Sequence, residues 1–293
     1  GSVWKPDITF YSPMHAETWG PWRLLEGGMG GSEESVVYLS RELASRGLNV
    51  QVYAPLDAKR HGGVHVEGGV RWWPMERLDT ARRIPGLAII QRAPWAIKFH
   101  CFDVSRTYIW HQDVMYHGDG WSPALAKAAK HFWVSDLQKK MLLGAVAPIM
   151  EEHPDPDFWG RIIGNGIPES CFVWGNNPPQ RDPKACVYLS SPVRGLDRLL
   201  NLWPRILEAH PDATLHVYYG WYTLPANVQK LREHVMKQIS KMPSVHWHNR
   251  RSQFDLEQIL PSMGVWTYPC TSGQEGFCIA GIRATAAGLV PVY

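Results

Sequence analysis

Short runs of β-branched and aromatic residues alternate with stretches of helical period from one end of this chain to the other. A chain so patterned folds as parallel sheets covered by helices. In the first half the strand pattern falls on Ile8–Tyr11, Val50–Ala54, Gly69–Trp73, Leu87–Gln91, Thr107–His111, Phe132–Val134 and Ile162–Ile163. Ser32 precedes a helical stripe of Val36, Leu39 and Leu43 that stops at Gly47. Ser135-Asp136-Leu137-Gln138 has the spacing of a capping box and opens a helix through Leu143. Val173–Lys184 then interrupts the pattern: it is polar, rich in Pro and Asn, and has no period, which is the character of a linker. Beyond it the alternation restarts, with strands expected at Cys186–Leu189, Thr214–Tyr219, Val245–His248, Val265–Tyr268 and Leu289–Val292. Helices are expected at Leu196–Ala209, Asn227–Ser240 and Ile279–Ala287. The expected fold is therefore α/β, two Rossmann-like doubly wound domains facing a cleft, with residues 1–172 and 185–293 as the domains and 173–184 as the linker.

Length and charge agree with this and exclude other classes. The chain's 293 residues are too many for one small core. With 45% hydrophobic and 19% charged residues it is not a disordered chain. Thirty basic against 27 acidic residues leave a net charge of +3, too slight to argue for nucleic acid. No apolar run approaches the ~18–20 residues that span a bilayer. The five cysteines (Cys101, Cys171, Cys186, Cys270, Cys278) have neither CxxC nor zinc-ligand spacing, so they read as thiols of a reducing, cytoplasmic compartment. Lys59-Arg60 and Arg82-Arg83 leave peripheral contact with an anionic membrane open, although a solvated face is the plainer account.

In doubly wound folds ligands sit outside the carboxyl ends of the strands, so the loops after strands carry the chemistry. Gly27-Gly28-Met29-Gly30-Gly31-Ser32 follows the first strand and opens a helix, where glycine lets the backbone approach an anion and the helix start offers N–H groups. It lacks the Gly-Lys-Ser/Thr of a Walker A loop, and an ordinary flexible turn accounts for it equally well. In Ser190-Ser191-Pro192-Val193-Arg194-Gly195-Leu196 a guanidinium stands beside a helix N-terminus, a pairing that suits phosphate; a solvated arginine is the alternative. In the Pro269–Ala280 segment Glu275 follows a strand and precedes Gly276 and a helix start, which suits sugar hydroxyls and a phosphate together.

Six segments, in order, resemble the GT-B nucleotide-sugar glycosyltransferases of the large retaining family 4 (glycosyl transferases group 1). They are the Gly27–Glu33 glycine loop with its helix and VQVYA; Trp133-Val134-Ser135; Ile163-Gly164-Asn165-Gly166-Ile167-Pro168; Arg194-Gly195-Leu196-Asp197-Arg198-Leu199-Leu200; Leu215–Gly220; and Tyr268-Pro269 with Glu275–Ile279 and Ala284–Pro291. The resemblance implies transfer of a sugar from a nucleoside diphosphate-sugar donor to an acceptor hydroxyl with retention, without a metal or other cofactor. The first domain would face the acceptor and the second would bind the nucleotide sugar. Gly30 and Gly31 would meet the donor diphosphate, and Arg194 would neutralise it as it leaves. Glu275 would accept hydrogen bonds from the donor sugar, with the backbone of Gly276, Phe277, Cys278 and Ile279 beside it. His111 would face sugar and acceptor, with Asp113 in the same loop as second choice; a packed or surface histidine is the alternative. Asn165 and Ser191 join the donor-binding candidates through their places in these motifs. Arg250, with Arg251, follows a strand at a ligand end and either approaches the base or is solvated.

Three departures from the family pattern stand out. Arg283 occupies the position where the family carries a second glutamate for the ribose, and a cation there would reach phosphate instead. Only Ser190 and Ser191 stand where another Arg or Lys is usual. The family continues beyond the last motif, so the second domain is expected to be incomplete. A binding module without transfer activity and a nucleotide-sugar epimerase are the alternative readings. The acceptor stays open among glycan, lipid-linked sugar, protein and small molecule. Asp155-Pro156-Asp157 mimics a metal motif of a different glycosyltransferase fold and reads as a surface loop.

Overall fold

Val50-Gln51-Val52-Tyr53-Ala54 and Leu87-Ala88-Ile89-Ile90-Gln91 are nearly continuous apolar runs, and such strands pair in parallel where both faces are covered. A computed structural model, describing residues 4–14, 17–57, 63–114, 125–145, 151, 155, 157–172, 180–221, 228–270 and 275–293, places them on either side of the first strand. The chain forms two compact units, Gly1–Pro21 with Gly30–Gly166 and Trp22–Met29 with Ile167–Tyr293.

The first unit holds strands β1 (Ile8–Tyr11), β2 (Val50–Ala54), β3 (His65–Glu67), β4 (Val70–Pro74), β5 (Leu87–Gln91), β6 (Thr107–Trp110), β7 (Lys130–Trp133) and β8 (Arg161–Ile162). Their order is β3-β4-β2-β1-β5-β6-β7-β8, parallel throughout except for β3 against β4. Ile8 of β1 is in register with Val50 on one side and Leu87 on the other. Phe10, Val50, Val52, Ile90 and Ile109 are buried in this sheet, which helices α1 (Gly31–Ser45) and α2 (Asp136–Gly144) accompany. Ser135 caps α2, accepting from the Gln138 amide at 3.1 Å, as the capping spacing predicts.

The second unit holds β9 (Asp182–Tyr188), β10 (Thr214–Val217), β11 (Val245–Trp247), β12 (Met263–Thr267) and β13 (Val290–Val292), all parallel in the order β11-β10-β9-β12-β13. Its helices are α3 (Leu196–Ala209), α4 (Gln229–Ile239), α5 (Gln253–Ile259) and α6 (Ile279–Ala286). Leu196, Leu199, Leu200 and Trp203 recur at helical spacing and bury one face of α3 with Val187, Leu215 and Val217 of the sheet. Each such side chain stabilises the unit by about 1.5–3 kcal/mol.

The structure differs from the sequence reading at several points. β9 takes in Asp182–Lys184, which the reading gave to the linker; residues 173–179 lie outside the described ones. Gly30 caps α1, so Ser32, expected to precede the helix, lies in its first turn. β6 ends one residue before His111. Two elements were not anticipated. These are β3, which turns back onto the expected strand β4 through Gly68 and Gly69, both at positive φ, and α5, which carries a capping box between Ser252 and Asp255.

Candidate functional site

In each sheet one strand has its successors on both sides: β2 and β5 flank β1, and β10 and β12 flank β9. Ligands of doubly wound folds bind at the carboxyl ends of the strands where the order reverses. In the second unit that point lies between the loops after β9 and β12. The chain leaves β9 through a tight turn at Pro192–Arg194 and enters α3 at Gly195. Gly195 has φ +99°, and a Cβ on it would run into the carbonyl oxygen of Pro269, so glycine is what lets the two loops touch.

Three side chains converge there. Arg194 Nη1 lies 2.8 Å from Glu275 Oε2, the Tyr268 hydroxyl donates to that same oxygen at 2.5 Å, and Arg194 Nη1 donates weakly to the Tyr268 oxygen at 3.5 Å. The second carboxylate oxygen accepts from the Phe277 amide at 3.3 Å. Arg194 and Glu275 are about a third exposed, so the pair is half-buried and open to a ligand. Burial works against the charge of Arg194, but Glu275 and Tyr268 outweigh it and raise its pKa. Burial, then the Glu275 carboxylate, pushes the Tyr268 hydroxyl far above its ordinary range, so it stays a donor. Burial, with Glu275 adding to it, raises the Cys278 thiol to about 11, so it is a packed thiol and not a nucleophile at neutral pH. Helices α3 and α6 both start beside this group without a side-chain cap. The Ser191 hydroxyl oxygen is buried and has no hydrogen-bond partner among the described residues. Gly276 and Ile279 complete the turn into α6; residues 271–274 lie outside the described ones.

The other second-unit candidates fall elsewhere. Arg283 is turned inward, 3% exposed, with Nη1 at 3.3 Å from Glu257 and 2.9 Å from Cys171 Sγ. The expected phosphate contact is thus replaced by a buried ion pair with α5. Arg250 lies in the loop after β11, with Nε 3.4 Å from where a Cβ on Gly28 would sit. That Cβ would also collide with the Arg251 carbonyl, and Gln253 Nε2 donates to the Met29 carbonyl at 3.0 Å. Part of the glycine loop is therefore explained by packing within the second unit. Gly30 and Gly31, by contrast, open α1 in the first unit.

At the corresponding edge of the first sheet, Ser12 donates to Gln91 at 2.5 Å and Gln91 to the Ser32 carbonyl at 2.7 Å, tying β1, β5 and α1 together. Asp113 takes both arms of Arg92, at 2.8 and 3.1 Å, and Arg92 Nη1 also reaches Glu33 at 2.9 Å. Asn165 and Gln112 exchange amide hydrogen bonds at 2.9 and 2.8 Å. His111, expected to face a substrate, is wholly enclosed: its Nε2 is 3.1 Å from His131 Nδ1 and its ring stacks on Trp133 at 3.9 Å. It is a packed histidine in this structure, with no surface to offer a sugar. Asp155 accepts from the Asp157 amide at 2.9 Å, a local turn in keeping with the surface-loop reading. Among the described residues no group of three or more His, Cys, Asp or Glu side chains is placed to hold a metal ion, and no helix is long and apolar enough to cross a membrane.

The enclosed histidine pair makes stability depend on pH. Burial, then His131, lowers His111 well below its ordinary value. Burial brings His131 to about 4, Lys139 lowering it further and the Leu125 backbone opposing. The unfolded chain takes up protons below pH ~6.5 that the folded pair refuses, so stability is intact above that pH and falls as pH drops toward 4. The melting temperature is expected to fall steadily between pH 6.5 and 4.5, with a shallower slope in His131→Asn. Equal slopes in the two proteins would exclude this source.

No family model matches the sequence, and no curated protein is similar to it in sequence. Solved structures do match. Sucrose-phosphate synthase from Thermosynechococcus elongatus superposes with a TM-score of 0.67 at 12% identity, covering 97% of this chain and 80% of that one. The catalytic domain of starch synthase IV from Arabidopsis thaliana, bound to ADP and acarbose, gives 0.67 at 12% identity over 98% and 82%. HepE of Anabaena, with UDP and glucose, gives 0.63 at 13% identity over 98% and 80%. At such identities the likeness carries the architecture alone, and what it establishes is that this chain has the α/β fold of the GT-B glycosyltransferases.

Proposed function

We propose that this chain is a glycosyltransferase, resembling retaining family 4, that moves a sugar from a nucleoside diphosphate donor to an acceptor hydroxyl with retention of anomeric configuration. The observation that carries the reading is the Arg194–Glu275–Tyr268 group at the switch point of the second sheet, with two uncapped helix starts beside it. Negative charge builds on the diphosphate as its bond to the sugar breaks, and a guanidinium already in place stabilises that charge without rearrangement. Glu275 supplies carboxylate oxygens for sugar hydroxyls. The Ser191 hydroxyl and the amides opening α3 and α6 suit phosphate oxygens. Gly30 and Gly31 are proposed as backbone donors to an anion, Arg250 as a neighbour of the base, and the first unit as the acceptor side. Arg283 and His111 are given no substrate contact, because one is held in a buried pair and the other is enclosed.

Melting curves with a panel of nucleoside diphosphates and their sugar conjugates test the reading. A ligand at about 100 times its dissociation constant stabilises by about 2.7 kcal/mol, a shift of several degrees in a unit of this size. At least one nucleotide sugar is expected to give that shift, and its turnover with an acceptor to release a product of unchanged anomeric configuration. No shift with any conjugate would overturn the reading. Binding without turnover would favour the binding module, and isomerised donor in the absence of acceptor would favour the epimerase.

A further inference from the structure

Arg92 directly follows β5 at the switch point of the first sheet and has φ +62°. Among the described residues only Arg92 and Asn249 combine a positive φ with a side chain, and asparagine tolerates that conformation whereas arginine has no reason to prefer it. Such strain persists where the surroundings over-determine it. Here the surroundings are identifiable. The backbone amide of Arg92 donates to the Trp110 carbonyl at 3.2 Å, its fork grips both oxygens of Asp113, and its third arm reaches Glu33 in the first turn of α1. The side chains of Arg92, Asp113 and Glu33 are 21%, 32% and 15% exposed, so the group reaches the surface without being solvated as separate charges. Gln138 Nε2 donates to the Asp113 carbonyl at 3.0 Å and its Oε1 accepts from the Val134 amide at 2.9 Å, which fixes the far side of the same loop.

We propose that Arg92 is a positioning residue: it is kept in a strained conformation so that its guanidinium aims the Asp113 and Glu33 carboxylates, at the carboxyl edge of the first sheet, toward the hydroxyls of a polyhydroxylated acceptor. That this ligand is the acceptor rests on the glycosyltransferase reading; the clamp itself does not. A planar fork serves here because it fixes two carboxylates in direction as well as distance, which a lysine does not do.

Arg92→Gly separates the roles, because glycine relieves the backbone while deleting the clamp. In the full chain, hydrogen exchange of the Glu34 and His111 amides, which donate to the Gly30 and Phe132 carbonyls at 3.0 and 2.9 Å beside the clamp, is expected to speed up by about tenfold or more, since local opening then no longer breaks the ion pairs. The melting temperature is expected to stay within about 5 °C of wild type, the relief of strain offsetting the lost pairs. With the donor identified by the melting screen, KM for the acceptor is expected to rise about tenfold while KM for the donor stays within about twofold. Unchanged exchange overturns the proposal, as does a larger fall in melting temperature, which would make Arg92 a structural strut, or an acceptor KM that does not move. Absence of turnover in the wild type would count against the glycosyltransferase reading alone, and the exchange and melting measurements would still decide for or against the clamp.

Discussion

Replacing Arg194 or Glu275 by alanine is expected to lower turnover of the nucleotide sugar about 10²-fold or more, the scale on which removal of one preorganised charge-stabilising contact acts. The two act on different parts of the reaction. On the proposed reading Arg194→Ala removes the cation facing the departing diphosphate, so the loss is expected to fall on kcat, where that charge exists. On the same reading Glu275→Ala removes the acceptor for sugar hydroxyls, so it is expected to raise the donor KM as well. The two side chains touch at 2.8 Å, and their effects are therefore not independent. The double variant is expected to lose less than the product of the single losses, because each single change already spoils the other's geometry. Tyr268→Phe deletes the 2.5 Å hydrogen bond that orients Glu275, together with the weak 3.5 Å contact from Arg194, and should cost less than either. The fold is expected to survive all of these. Both charges are about a third exposed, and a solvent-screened pair of that kind contributes no more than about 1 kcal/mol to stability. A melting curve and turnover with the donor from the ligand screen decide the matter. Wild-type rates in both single variants would remove the site from this edge of the sheet, whatever the fold.

Much of this site was legible in the sequence because parallel α/β folds place chemistry where local pattern already points. A strand, a turn with Arg194 and a helix stripe of Leu196, Leu199, Leu200 and Trp203 can be read from spacing alone, and α3 runs over the expected residues, Leu196–Ala209. Glu275 after β12 follows the same rule, and topology then sets it beside Arg194. What was not legible depends on which partner a side chain meets across long sequence separations. Arg283 reads as a cation near a phosphate site until α5, itself unanticipated, brings Glu257 to it and the turn at Glu169–Cys171 brings the Cys171 sulfur. The signal for α5 was present as Ser252 three residues before Asp255, a capping box with aspartate in place of the usual glutamate or glutamine. His111 is a catalytic candidate only through the family resemblance, and the packing of His131 and Trp133 against it shows the ring to be enclosed. Arg92 has no local signal at all, since a left-handed arginine is not written in any spacing.

Gly195→Ala is expected to destabilise the second unit by about 2–4 kcal/mol, although it adds one methyl group at a turn. Two costs add. At φ +99° an L side chain is strained, and the new Cβ meets the Pro269 carbonyl, a backbone atom of the loop after β12 that cannot swing away as a side chain would. To relieve the collision the turn after β9 must move from the loop after β12, and Arg194 and Tyr268 stand on those two segments. Activity should therefore fall further than stability alone explains at temperatures where the variant is still folded, because a displacement of about 1 Å at a positioned charge is worth up to 10²-fold. Gly166→Ala is the matched comparison: an added Cβ there meets nothing within 4 Å, and its φ is not in the left-handed range. It should stay within about 0.5 kcal/mol of wild type. The difference is expected as a fall of roughly 5–15 °C in the melting of the second unit for Gly195→Ala alone. If both variants melt with the wild type, the two loops are not held together through Gly195, and the convergence of Arg194 on Glu275 needs another cause.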